Sequence, residues 1–191
     1  MDALLLIGRT LGFSLAAGVN LYATVAVLGL AARFEWVALP EQFAVFDSNW
    51  VIGIALALYA VEFVADKVPW LDTAWDAVHT FIRPLGGALI AITTLGEASP
   101  LLQALVGLAG GAVAAGSHLS KAGTRAAVNT SPEPVSNWTL SLLEDGFVIG
   151  LGLVALKYPL LALAVVALAV LAMALAARWL WRRLRSRPGT A

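Results

Sequence analysis

Cysteine is absent from this 191-residue sequence, and charge is scarce: Asp, Glu, Lys and Arg make up 13% of it, about half the share usual in a soluble domain. The first absence excludes disulfides and thiolate metal sites. The second, with 60% hydrophobic residues and a mean hydropathy of +0.85, points to an all-α integral membrane protein. A basic n-region is also lacking. Asp2 stands where a signal peptide would be basic, and Arg9 interrupts the apolar run, so the N-terminus reads as a retained helix. There is no HExxH, no GxSxG and no repeated His/Asp set with metal spacing. The glycines form no phosphate loop, so no cofactor is expected and no metal is assigned. Nucleic-acid motifs are missing too.

What is present is a series of apolar runs. They predict a polytopic helix bundle of about six transmembrane helices in one domain over residues 1–191: Leu4–Ala32, Asn49–Ala65, Leu71–Leu95, Leu101–Gly116, Asn137–Leu156 and Pro159–Leu180. The first is longer than the ~20 residues a span needs. With Gly12, Gly18 and Asn20 inside it, it is either kinked or two pieces. Gly107, Gly111 and Ala115 recur at every fourth position, a spacing for close helix packing.

Polar residues interrupt these runs at few places. Glu62 and Asp66 share one helix face. Asp72, Asp76, His79 and Arg83 form a stripe, read either as buried or as an interfacial turn before a span that starts near Leu85. A polar segment after Ser117 carries His118, Lys121, Arg125, Asn129 and Glu133, and closes on a Ser131-Pro132-Glu133-Pro134 turn. Asn137, Ser141, Glu144 and Asp145 then fall along one side of the fifth span. Charged groups between membrane segments line a cavity or pair with each other. The candidate ion- or substrate-binding residues are therefore Glu62, Asp66, Arg83, His118, Lys121, Arg125, Asn137, Ser141, Glu144 and Asp145, with no catalytic residue assigned. Within the last pair, Glu144 is expected to face a central site and Asp145 to pair with Arg125 or Arg83.

Six spans put both termini on one side. Five basic residues lie in the last fourteen positions (Arg178, Arg182, Arg183, Arg185, Arg187), which predicts a cytoplasmic tail over 181–191, both termini cytoplasmic, and the acidic loop 33–47 outside. The tail is suited to anionic lipid. Three blocks recur in order: Ala16-Ala17-Gly18 with Leu21 and Ala114-Ala115-Gly116 with Leu119, Ser48-Asn49-Trp50 and Ser136-Asn137-Trp138, Lys67-Val68-Pro69 and Lys157-Tyr158-Pro159. They suggest two three-helix repeats, 1–100 and 101–180, inserted in opposite orientations with interrupted helices, as in many secondary transporters. Generic helix-end residues are the other reading.

The stretches EFVADKVPWLDTAWDAVHTFIRP, HLSKAGTRAAVNTSPEPVSN and LSLLEDG resemble a family of bacterial integral membrane proteins catalogued only as a domain of unknown function. The resemblance runs from about Gly12 to Pro159. It implies a bacterial inner-membrane protein and no activity. From the residues, three functions stand open: a transporter or channel for a small ion or polar solute, a membrane scaffold or assembly factor, and an embedded enzyme acting on a lipid-like substrate. The first is preferred, so no enzyme activity is expected. The partners expected are the lipid bilayer, the unknown solute and, in one version, further copies of the chain.

Overall fold

A computed structural model describes residues 3–130 and 134–185. Asp2, the Ser131-Pro132-Glu133 part of the proline turn, and Arg187 lie outside the described residues. The elements are α1 (Ala3–Val19), α2 (Leu21–Arg33), a 3-10 turn (Glu41–Phe46), α3 (Asn49–Ala65), α4 (Pro69–Leu95), α5 (Pro100–Val128), α6 (Pro134–Lys157) and α7 (Pro159–Arg185). Helices α4 to α7 are long and apolar enough to cross a membrane, and α1, α2 and α3 are shorter apolar helices. The chain is thus an all-helical membrane-type bundle among its described residues.

The long first segment is two helices. Asn20 is extended (φ −148°, ψ 102°), and its side-chain oxygen caps α2 by accepting from the Ala23 N–H at 2.9 Å. An Asn carboxamide competes with the helical ladder and favours the cap position. The contacts on either side of Asn20 show that the chain doubles back there. In α1, Gly8 lies against Pro159 and Gly12 against Ala155, so α1 descends as α6 is read backwards. In α2, Asn20 meets Asp145 while Val27 meets Gly152, so α2 climbs α6 again. Leu21 against Gly86 and Gly29 against Ile52 agree with this course.

Two ends of the bundle can therefore be named. The loop end carries the start of α1, residues 34–48 and the α6–α7 junction. The tail end carries the α3–α4 turn, the end of α5, the start of α6 and the end of α7. The expectation that six successive spans bring both termini to one side does not survive: α1 and α2 form a hairpin whose tip stops partway, and Ala3 and Arg185 lie at opposite ends. Helices α3 and α6 run in opposite directions, as do α4 and α7. The first elements of the two halves differ, since α1–α2 turns back where α5 runs straight through.

Other boundaries shift for local reasons. The fourth span does not end at Gly116, because His118, Lys121 and Arg125 recur on one inward face and α5 carries on to Val128. Helix α4 begins at Pro69, a residue whose missing N–H costs nothing in a first turn. Its Asp72, Asp76, His79 and Arg83 are all buried, so the stripe faces inward and is not an interfacial turn. Helix α1 packs on α4, α5, α6 and α7. The close approach needs Gly18, where a Cβ would run into the Ala114 carbonyl and Ser117. Gly107 against Ile92 and Gly111 against Ala88 bring α4 and α5 together in the same way.

Candidate functional site

At the hairpin tip the backbone ends of two helices are exposed to side chains. The last carbonyls of α1 carry the negative end of its dipole and the first N–H groups of α2 the positive end. The α1 carbonyls meet side-chain donors, and the α2 end is capped by Asn20 itself. Arg83 Nη1 points to the Gly18 carbonyl at 3.5 Å, and Ser117 Oγ donates to the Leu15 carbonyl at 2.9 Å. On the α2 side Asn20 Nδ2 donates to Asp145 Oδ1 at 3.3 Å.

From this tip a column of paired charges leads to the tail end. Arg83, on α4, binds Glu62 Oε1 of α3 at 2.8 Å and Asp76 Oδ1 at 3.2 Å. Lys121, on α5, lies 3.4 Å from Glu62, 3.0 Å from Asp66 and 3.7 Å from Glu144. Arg125, one helical turn on, binds Asp66 Oδ2 at 3.0 Å and Glu144 Oε2 at 2.7 Å, and donates to Asn137 Oδ1 at 2.6 Å. Asn129 donates to Asp72 Oδ2 at 2.7 Å at the lower edge. The side chains of Arg83 and Glu62 are fully buried. Burying ions costs several kcal/mol each unless they are paired and hydrogen-bonded, and here each cation has two or three carboxylates.

Hydrogen bonds orient both histidine rings and fix the tautomer of His118. Arginine only donates, so His118 Nδ1 accepts from Arg83 at 2.8 Å and its Nε2–H donates to Thr80 Oγ1 at 3.1 Å. His79 has the reverse arrangement: Nδ1–H donates to the Trp75 carbonyl at 2.7 Å and Nε2 accepts from Tyr22 at 2.9 Å. Lys67, in the α3–α4 turn, donates to Ser141 at 3.2 Å and packs over the Phe63 ring. Partial burial holds its ammonium below the usual lysine range, against the upward pull of Asp145 and Asp66.

All ten sequence-selected residues meet in this region, but the acidic pair takes roles other than those expected. Glu144 carries the ion pair with Arg125. Asp145 makes no pair with Arg125 or Arg83: a 100° step along α6 turns it toward Asn20 and Tyr59. Its second oxygen is buried with no hydrogen-bond partner among the described residues, as are Glu62 Oε2 and Asp66 Oδ1. Six carboxylates (Glu62, Asp66, Asp72, Asp76, Glu144, Asp145) share three buried cations and Lys67. From the sequence, Asn20 marks either a kink or a break between two pieces, and Asp72, Asp76 and His79 stay off the candidate site. Their four-three-four spacing was the available signal. Tyr22 and Tyr59 gave none, since lone tyrosines in apolar runs look like packing. Among the described residues no group of acidic and histidine side chains is arranged to hold a metal ion.

Above the tip, toward the loop end, α1, α4 and α5 pack closely. Ser14 Oγ donates to the Gly87 carbonyl at 3.1 Å and Thr94 to Thr10 at 3.2 Å, among Gly87, Ala91 and Gly110 in direct contact. No curated protein and no solved structure matches the chain. A family model does match, and over a longer stretch than the sequence motifs suggested, taking in most of α1 and of α7. With residues 7–180 matched, the chain belongs to the family described as domain of unknown function 4126.

Proposed function

We propose that this protein is a small transporter or channel that moves an ion or polar solute past the tip of the α1–α2 hairpin. One observation carries the reading: a helix broken at Asn20 sets the α1 carbonyl end against Arg83 and the Asn20 carboxamide against Asp145 in a buried charge network. Interrupted helices of this kind form the ion and substrate sites of secondary transporters, where unwound backbone is tolerated only beside a cavity or buried protein. The excess of carboxylates over cations favours a cation or proton as the moving charge. Asp145, which among the described residues makes no ion pair within 4.0 Å, is the residue assigned to it.

In this reading the membrane holds five crossings, α3 to α7, and one re-entrant hairpin. The basic tail end faces the cytoplasm and the N-terminus faces outside, in a bacterial inner membrane. The opposed directions of α3 and α6, and of α4 and α7, support descent from an inverted duplication in which one copy lost its hairpin. An enzyme is disfavoured because both nitrogens of His118 are engaged, which leaves no free base beside Ser120. A scaffold would use the same ion pairs as struts but has no need of the unpaired Asp145.

The test is flux. Wild-type protein in proteoliposomes, examined by solid-supported membrane electrophysiology over protons, sodium, potassium and organic cations, should give a transient for at least one of them. Asp145→Asn should remove it while the melting temperature holds. Silence from well-folded wild type over the whole series would leave the scaffold standing.

A further inference from the structure

Beside the network lies a groove of about 510 Å³ between α5, α6 and α7, floored by the tip of α1. Val19, Leu143, Phe147, Ala172 and Met173 give it an apolar wall, continuous with the exposed apolar faces of α6 and α7. Such a groove opens sideways into lipid, not along the bundle axis. Its deep side is polar, formed by Ser117, Ser120, Lys121, Thr124 and Glu144.

The chemistry of those groups is one-sided. Ser117 spends its hydroxyl proton on the Leu15 carbonyl, Ser120 on Gly116 and Thr124 on Ser120, each at 2.9 Å. Only their lone pairs remain for a ligand. The Lys121 side chain is 2% exposed and already faces Glu62, Asp66 and Glu144. Glu144 is the most exposed acid of the network at 12%, and its pairs with Lys121 and Arg125 all fall on Oε2. That leaves Oε1 to the groove. Every polar group on offer accepts a hydrogen bond, and the charge behind it is an excess of carboxylates. The arginines of α7 begin at Arg178, beyond the groove-lining Ala176, where Arg183 and Arg185 rest on Trp179 and Trp181. They suit the phosphates of the lipid surface, not the groove.

We propose that the groove binds an amphiphile that carries a protonated amine on a single alkyl chain. The chain lies between α6 and α7, and the ammonium donates to Glu144 Oε1 and the hydroxyl oxygens of Ser120 and Thr124. The site goes beyond the transport reading and stands or falls separately, because it is read at equilibrium.

Protein in nanodiscs is titrated with decylammonium, decanol and decyl sulfate, with empty discs as the background. Decylammonium should bind saturably and at least about tenfold more tightly than the other two, the step expected for one charge-assisted hydrogen bond. Glu144→Gln should erase that preference. As it also unsettles Arg125, Ala172→Trp serves as the second variant: it fills the groove from α7, away from the network, and should abolish binding with the melting temperature unchanged. Equal affinity for decyl sulfate or decanol overturns the proposal, as does full binding to Ala172→Trp. If light scattering finds a dimer that Ala172→Trp dissociates while decylammonium still binds, the groove is an interface between copies and the proposal fails.

Discussion

Asn20 performs two tasks with one carboxamide: its oxygen caps α2 and its nitrogen holds Asp145. Asn20→Ala should therefore cost about 1 kcal/mol for the cap and about 1–3 kcal/mol more for the stranded carboxylate. A clear fall in melting temperature by differential scanning fluorimetry would be the sign. Asp145→Asn keeps an acceptor for the Asn20 amide and removes no ion pair, so its melting temperature should stay near wild type. The residue whose neutralisation destabilises is Glu144. Glu144→Gln weakens the hold on Arg125, although Asp66 and Asn137 still bind it, and the loss should be smaller than the 3–5 kcal/mol of a buried pair fully broken. If Asp145→Asn proves the less stable of the two, the assignment of roles along α6 is reversed.

At the scale of elements, the hairpin changes what can be labelled from where. The sequence has no cysteine, so single cysteines report without a background. An impermeant maleimide should label Leu4→Cys in intact spheroplasts and Arg182→Cys only in inverted membrane vesicles. Reaction from one face only would restore an even number of crossings. Much of the element plan was legible: α3, α4, α6 and α7 follow the apolar runs to within a few residues. Two features were not. A tight reversal and a mild kink can each leave the same uninterrupted hydropathy, and the difference lies in Asn20's long-range contact with Asp145. The continuation of α5 was masked because one inward stripe of His118, Lys121 and Arg125 reads as a polar break when averaged over all faces. That the ten candidate residues would come together was legible, because charge in an apolar chain has to pair or line a cavity. Which carboxylate pairs with which base was not, since adjacent helical positions diverge by about 100° and only packing chooses between them.

The molecule as a whole is polar below the hairpin tip and, above it, α1, α4 and α5 are closely packed on one another. Water should therefore reach Asp145 from the tail end and not from the loop end. Alkylation of Ser141→Cys by a small charged reagent should proceed from the tail side, and that of Thr94→Cys from neither. Replacing Gly87 by Val should prise α4 from α5 at Ala114 and loosen this packing, measured as a constitutive leak in a proton-sensitive dye assay. A further consequence concerns the order of assembly. Both arms of the hairpin are short for a span, and the tip exposes polar backbone that lipid cannot satisfy. The side chains that hold the tip, Arg83 and Ser117 on its carbonyls and Asp145 on the Asn20 carboxamide, are all made later, the last of them 125 residues after Asn20. The hairpin is thus made before the helices that hold it and is expected to be seated only after α6 is made. A chain truncated after Thr130 should leave a cysteine at position 20 open to alkylation, and the full-length chain should close it.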